Sequence, residues 1–279
     1  MVRYIALALV LLIACSICAG VGGFAGLQWL WILPVSFLGS FLGVAAIYFL
    51  FVCICSALVD PEKTQKKDSP FYRGLISVTA QLVVWILRIH IHTEGLEKTP
   101  KDGRFFLVCN HLNNIDPGVL LLSFPKSQLA FIAKRESNTM FLVGKLMRKI
   151  MCQFINREND REALKTILNC IRLIQEDEVS IGVFPEGRIT GDDLLHPFRS
   201  GVFKIAQKTK VPIVVCTLQN TQNVFKNAKK LKPTDVHVHL VGVVQPEEWE
   251  GLTTVDVADR IHTMMAEDLG PEQVWQENS

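Results

Sequence analysis

Arg104-Phe-Phe-Leu-Val-Cys109-Asn110-His111-Leu-Asn-Asn-Ile-Asp116-Pro117-Gly-Val-Leu-Leu-Leu-Ser-Phe124 is the stretch on which the reading of this chain turns. Residues 104–109 form an apolar run that fits a strand, and the Pro-led run 117–124 fits a helix. The loop between them carries an imidazole and a carboxylate, His111 and Asp116, with four residues in between. Imidazole is the side chain best suited to take a proton near neutral pH, and a carboxylate on its far nitrogen fixes the tautomer and stabilises the imidazolium. The pair is therefore a candidate for activating a hydroxyl. Spacing alone is weak support, because with 7 His and 12 Asp in 279 residues such a pair arises by chance in about one chain in three. Asp116 before Pro117 is also what a helix start requires, an N-cap followed by Pro in the first turn. The two roles are compatible, since a capping Asp keeps a second oxygen for the ring.

On either side of this stretch, short strand-like runs alternate with helical ones. Strands are read near 89–94, 129–133, 152–155, 179–184, 212–218 and 235–244, and helices near 71–88, 138–150, 160–176, 200–209 and 254–268. This alternation predicts an α/β fold with a mixed sheet flanked by helices. The helix over 160–176 has Leu164, Ile167, Leu168, Ile171 and Ile174 on one face, with Asn159 and Glu162 as a capping pair. In such sheets ligands bind just past the C-terminal ends of strands, where His111 falls.

The N-terminal part is of another kind. No charged residue occurs between Arg3 and Asp60, which is length enough for two membrane spans, roughly 4–22 and 35–59. A Gly/Trp-rich turn containing Trp29 and Trp31 and ending at Pro34 joins them. A membrane-anchoring helical hairpin over 1–67 followed by a cytoplasmic domain over 68–279 is the resulting division. Arg3 before the first span and Lys63, Lys66 and Lys67 after the second place both ends in the cytoplasm. A second apolar segment, rather than a polar mature chain, follows the first and argues against a cleaved signal peptide. A hairpin that enters one leaflet without crossing satisfies the same composition.

The net charge of +2 conceals a division, with 27 Lys and Arg against 18 Asp and Glu over residues 60–244, and 9 acidic residues against one basic over 245–279. A basic body beside an apolar hairpin suits an anionic lipid surface or an anionic substrate, with a polybasic run at Lys229, Lys230 and Lys232. A nucleic-acid partner is disfavoured, because no binding motif is present. The 8 cysteines lie in apolar runs without paired metal-ligand spacing, so burial in a reducing compartment is their expected role. His90 with His92, and His237 with His239, alternate along strands and read as strand faces rather than metal ligands.

Three further segments carry chemistry. Phe154-Ile-Asn-Arg157 ends a strand on an arginine. Val183-Phe-Pro-Glu186-Gly187-Arg188-Ile-Thr190 is a turn that presents a carboxylate, an arginine, backbone N–H groups and a hydroxyl. Arg157 and Arg188 are candidate anion clamps, since guanidinium binds phosphate through paired, charge-assisted hydrogen bonds. Val211-Pro-Ile-Val214 puts Pro at a strand start. No Gly-x-Ser-x-Gly nucleophile motif occurs.

In order and approximate spacing, Asn110-His111 to Asp116-Pro117, Phe154 to Arg157, Phe184-Pro-Glu-Gly187 and Val211 to Val214 resemble the four blocks of glycerolipid acyltransferases. Within that superfamily the chain is similar to the 1-acylglycerol-3-phosphate acyltransferases over roughly residues 70–245, including Glu94-Gly-Leu96 and Pro197-Phe-Arg-Ser-Gly201. The resemblance implies His111 as base with Asp116 orienting it, and acceptor binding through Arg157, Glu186 and Gly187. It also implies acyl-CoA or an acyl carrier protein thioester as co-substrate, with no cofactor and no metal. Transfer to lysophosphatidic acid would give phosphatidic acid for phospholipid synthesis, at the cytoplasmic face of the inner cell membrane. The backbone near Gly187 is a candidate donor to the thioester oxyanion. One departure stands out: the third block usually runs Phe-Pro-Glu-Gly-Thr-Arg, whereas here Arg188 takes the Thr place and Ile189 the Arg place. Arg188 is then the expected substitute for the displaced arginine. This form also resembles a branch that includes lysophospholipid acyltransferases, which leaves the acceptor headgroup open. Another lysophospholipid or glycerol 3-phosphate as acceptor, a thioester hydrolase using the same base, and a non-catalytic membrane adaptor are the alternatives.

Overall fold

The computed structural model describes residues 2–24, 26–60 and 65–276, so Lys63 of the expected charge flank lies outside the described residues. The chain forms two compact units, residues 1–63 and 64–279. In the first, helix α1 (Val2–Gly20) packs against helix α2 (Trp29–Ala57). Val10, Ala14 and Cys18 are buried at a spacing of four along α1, as are Ser36 and Ser40 of α2. Small residues in such stripes let two helices approach closely. Both segments are long and apolar enough to cross a bilayer. The second helix begins earlier than expected: Trp29 and Trp31 sit in its first turn and Pro34 lies inside it. Proline removes a single ladder hydrogen bond near the helix start, and the apolar run on both sides continues the helix through it.

The second unit is built on one seven-stranded sheet. Its strands are β1 (Ile89–Glu94), β2 (Phe106–Cys109), β3 (Leu129–Lys134), β4 (Gln153–Ile155), β5 (Ser180–Val183), β6 (Ile213–Gln219) and β7 (Thr234–Val244), in spatial order β1-β7-β6-β2-β5-β3-β4. Strands β2 to β6 are mutually parallel, whereas β7 is antiparallel to β6 and β1 runs with β7. The sheet is mixed, as the alternation of runs predicts. Phe106, Leu107, Val108 and Cys109 are all fully buried, because a central parallel strand is covered on both faces. The C-terminal ends of the five parallel strands open on one edge. The loops after β2, β4 and β5 therefore carry His111, Arg157 and Glu186 to that edge.

Around the sheet lie α3 (Pro70–Ile86), α4 (Asp116–Ser123), α5 (Val143–Lys149), α6 (Asp160–Gln175), α7 (Lys204–Thr209), α8 (Val224–Ala228) and α9 (Thr254–Leu269). Three local readings need correction. In α6, Ile167, Ile171 and Ile174 are buried but Leu164 and Leu168 are exposed, because the buried face centres on Cys170. At 100° per residue those two leucines lie about 120° and 160° away from Cys170. The capping pair is one-sided: the Asn159 side chain accepts the Glu162 N–H, while the Glu162 carboxylate accepts from Asn156 and Arg135. The helix read over 138–150 is broken into a 3-10 turn (Arg135–Thr139) and α5, with Leu142 at a φ of 68° between them. Gly144 permits this, since a side chain there would strike the Ser137 and Asn138 carbonyl oxygens.

Arg73 ties the start of α3 to the sheet. Its guanidinium makes a two-point ion pair with Asp68 at 2.7 and 2.8 Å and donates to the Leu129 carbonyl at 2.9 Å. The Asp68 side chain is only 6% exposed, so removing its partner strands a buried charge. Arg73→Ala is expected to cost about 3–5 kcal/mol of stability. Denaturation of the detergent-solubilised protein beside wild type measures it.

Candidate active site

The loop after β2 is held from several sides. Asn110 accepts the Leu218 N–H at 2.7 Å and donates to the Leu218 carbonyl at 2.9 Å, which pins the end of β2 to β6. Asn113 donates to the Thr221 carbonyl at 3.1 Å. Asp116, fully buried, supplies the centre: its Oδ2 accepts from the backbone N–H groups of Leu112 and Asn113, each at 2.8 Å, and pairs with His111 Nδ1 at 2.9 Å. Asp116 is thus not the cap of α4, which has no side-chain cap. Its carboxylate turns back onto the preceding loop, and Oδ1 has no partner among the described residues.

Because the carboxylate can only accept, Nδ1 carries the proton and His111 Nε2 keeps its lone pair. The ring stacks on Phe184 with centroids 4.2 Å apart, and Phe184 stacks in turn on Phe131 at 5.7 Å. Phe184 so holds the orientation of the His111 ring.

Glu186 is nearly buried, with Oε1 accepting the His111 N–H at 2.8 Å and Oε2 accepting the His196 N–H at 3.0 Å. Burial pushes its carboxyl above the usual range, against the pull of those two N–H groups and of the two imidazoles. Both oxygens accept backbone N–H groups, and the carboxylate so joins the β2 and β5 loops. The Gly187 N–H closes a turn onto the Phe184 carbonyl at 3.0 Å and is not free for an oxyanion.

Beside Phe184 lies a cleft of about 170 Å³ whose lining includes Ile132, Arg157, Val183, Gly187 and Arg199. Gly187 has a φ of 81°, and a Cβ there would sit 3.0 Å from Arg199 Nε and 3.7 Å from Arg157 Cζ. Two guanidiniums therefore flank one glycine. Neither has a carboxylate ion-pair partner among the described residues. Partial burial first, and then the Arg199 charge, lower the Arg157 pKa, with Glu136 opposing. An anion between the two would relieve that repulsion. Arg188 is exposed and does not line this cleft. Reading the sequence missed Arg199, since one arginine in a loop has no local signature; its place in Pro197-Phe-Arg-Ser-Gly201, just after the third block, is the only hint. A second depression near Gln207, Lys210 and Trp249 shares no lining residue with the cleft.

The other histidines make contacts of their own. His196 Nε2 pairs with Asp192 at 2.8 Å and its ring stacks on Trp275. His90 and His92 share Asp235 Oδ1, His92 stacks on His237, and His239 pairs with Asp268. Cys109, Cys152, Cys170 and Cys216 are buried, and burial pushes all four thiols up, Cys152 to about 11. None is poised as a thiolate nucleophile.

Residues 90–219 match the family model described as Acyltransferase. A 1-acyl-sn-glycerol-3-phosphate acyltransferase of Borreliella burgdorferi is 30% identical over 188 residues, covering 65% of this chain and 74% of that protein. One from Cocos nucifera is 29% identical over 197 residues, covering 70% of this chain and 63% of that relative's length. The crystal structure of the 1-acyl-sn-glycerophosphate acyltransferase of Thermotoga maritima shares the fold, with a TM-score of 0.59 at 23% identity over 83% of this chain and 91% of that one. The chain belongs to the acyltransferase family.

Asp116→Asn removes the charge that orients His111 and is expected to lower kcat by about 10²- to 10⁴-fold, read from steady-state thioester turnover. Glu186 has a raised folded pKa, so the folded state prefers the protonated acid. Its contribution to stability is full below the unfolded value of 4.5 and is lost as pH rises through the folded one. Glu186→Gln should remove that slope from denaturation midpoints measured across pH, while orphaning one backbone N–H at a cost of about 1–3 kcal/mol.

Proposed function

We propose that this chain transfers an acyl group from acyl-CoA or an acyl carrier protein thioester to the free hydroxyl of 1-acylglycerol 3-phosphate, giving phosphatidic acid for phospholipid synthesis. One observation carries the reading: a His111–Asp116 pair, whose Nε2 has no hydrogen-bond partner among the described residues, shares the Phe184 wall with a cleft bearing Arg157 and Arg199. A phosphate monoester held between the guanidiniums would present a nearby hydroxyl to Nε2. As that oxygen attacks the thioester carbonyl, Nε2 takes its proton; collapse then expels the thiolate, which takes the proton back. No acyl-enzyme is required, in keeping with the raised cysteine thiols.

Lysophosphatidic acid and phosphatidic acid both reside in bilayers, so a membrane-anchored enzyme meets its acceptor without an aqueous transfer step. The two apolar helices support that siting. Arg3, Lys66 and Lys67 favour a catalytic unit on the cytoplasmic face of the inner cell membrane.

The test offers reconstituted full-length protein a panel of lysophospholipids and glycerol 3-phosphate with each thioester donor. Thiol release that depends on lysophosphatidic acid is expected, and His111→Ala should abolish it while the protein stays folded. Arg157→Ala and Arg199→Ala should each raise KM for phosphate-bearing acceptors by about 10- to 100-fold with a smaller effect on kcat. Acceptor-independent release would make the protein a hydrolase, and a faster reaction with another acceptor would reassign the substrate.

A further inference from the structure

We infer that the segment Val224–Lys232, which follows β6 on the active-site edge, docks on an anionic bilayer surface. Phe225 is 47% exposed and Leu231 78% exposed, and around them Lys226, Lys229, Lys230 and Lys232 are exposed as well. No acidic residue occurs from Gln219 to Pro233, and none of the four lysines pairs with a carboxylate among the described residues. Arg88 adds a fifth cation by donating to the Leu231 carbonyl, and it fixes the loop as it does so. Exposed apolar side chains within a ring of lysines suit a lipid interface, where the apolar groups enter the acyl boundary and the cations meet anionic headgroups. An acidic protein partner would match the lysines but would leave Phe225 and Leu231 without a role. The segment is also coupled to the site, because Asn113 of the His111 loop donates to the Thr221 carbonyl just before it. Docking here sets the cleft against the surface that holds the acceptor.

This inference rests on the membrane association proposed above, and the test separates the two. Full-length protein is incorporated into vesicles of pure phosphatidylcholine and of phosphatidylcholine with phosphatidylglycerol, and incorporation is checked by flotation. Amide exchange over 224–232 is then followed in both. Exchange is expected to slow by about tenfold in the anionic vesicles. The Lys226→Gln/Lys229→Gln/Lys230→Gln/Lys232→Gln variant should lose that difference, while retaining wild-type turnover in neutral mixed micelles. Leu231→Ser should lose part of the protection with every lysine present. Equal exchange in the two vesicle types overturns the inference and leaves membrane association standing. Protection that appears only when acyl-CoA or acyl carrier protein is added to neutral vesicles assigns the segment to the donor and also overturns it. Failure to float with either vesicle overturns both.

Discussion

Asp116 carries a carboxylate where water does not reach, and the site is arranged around meeting that charge. Three N–H donors converge on its Oδ2, two from the loop backbone and one from His111. An unmet buried carboxylate would cost several kcal/mol, so the loop cannot relax away from it without a large penalty. The same contacts that satisfy the charge therefore hold the His111 ring and set the direction of Nε2. Positioning and stability are one interaction here.

A second carboxylate extends the principle from one loop to two. Glu186 takes the His111 N–H on one oxygen and the His196 N–H on the other, bridging loops that leave different strands. This works because β2 and β5 are parallel neighbours whose C-terminal ends share an edge. Asn110 and Asn113 fasten the same loop to β6 and to the turn beyond it. Four side chains, Asn110, Asn113 and Asp116 from one segment and Glu186 from its neighbour, thus cross-link the loops at this sheet edge. Phe184 adds the aromatic floor and is shared with the arginine cleft.

The cleft beside Phe184 departs from the third block's usual pattern in where its arginines stand. The usual arginine of the third block is absent, and Arg188 faces solvent. Arg199, eleven residues further along, stands beside Gly187, as Arg157 does. The left-handed backbone at Gly187 and the missing Cβ leave room for both guanidiniums, so the glycine is required by space as well as by conformation.

Much of this was legible in the sequence, for identifiable reasons. Continuous apolar runs such as Phe105–Cys109 are diagnostic of buried strands, a charge-free stretch of two helix lengths is diagnostic of an apolar hairpin, and a His and an Asp on one short loop are near each other by covalent necessity. The amphipathic face of α6 was harder: periodicity located a helix but not which part of its apolar stripe meets the sheet, because that depends on where the sheet lies. Arg199 could not be singled out, since its approach to Arg157 requires two loops from β4 and β5 to fold onto one edge. The same holds for Glu186, whose contacts with the His111 and His196 N–H groups depend on how those loops meet. Local sequence determined the elements and the His111–Asp116 pair, because those depend on neighbours along the chain. The tertiary structure decided which charges face each other, because only it sets the distances between loops.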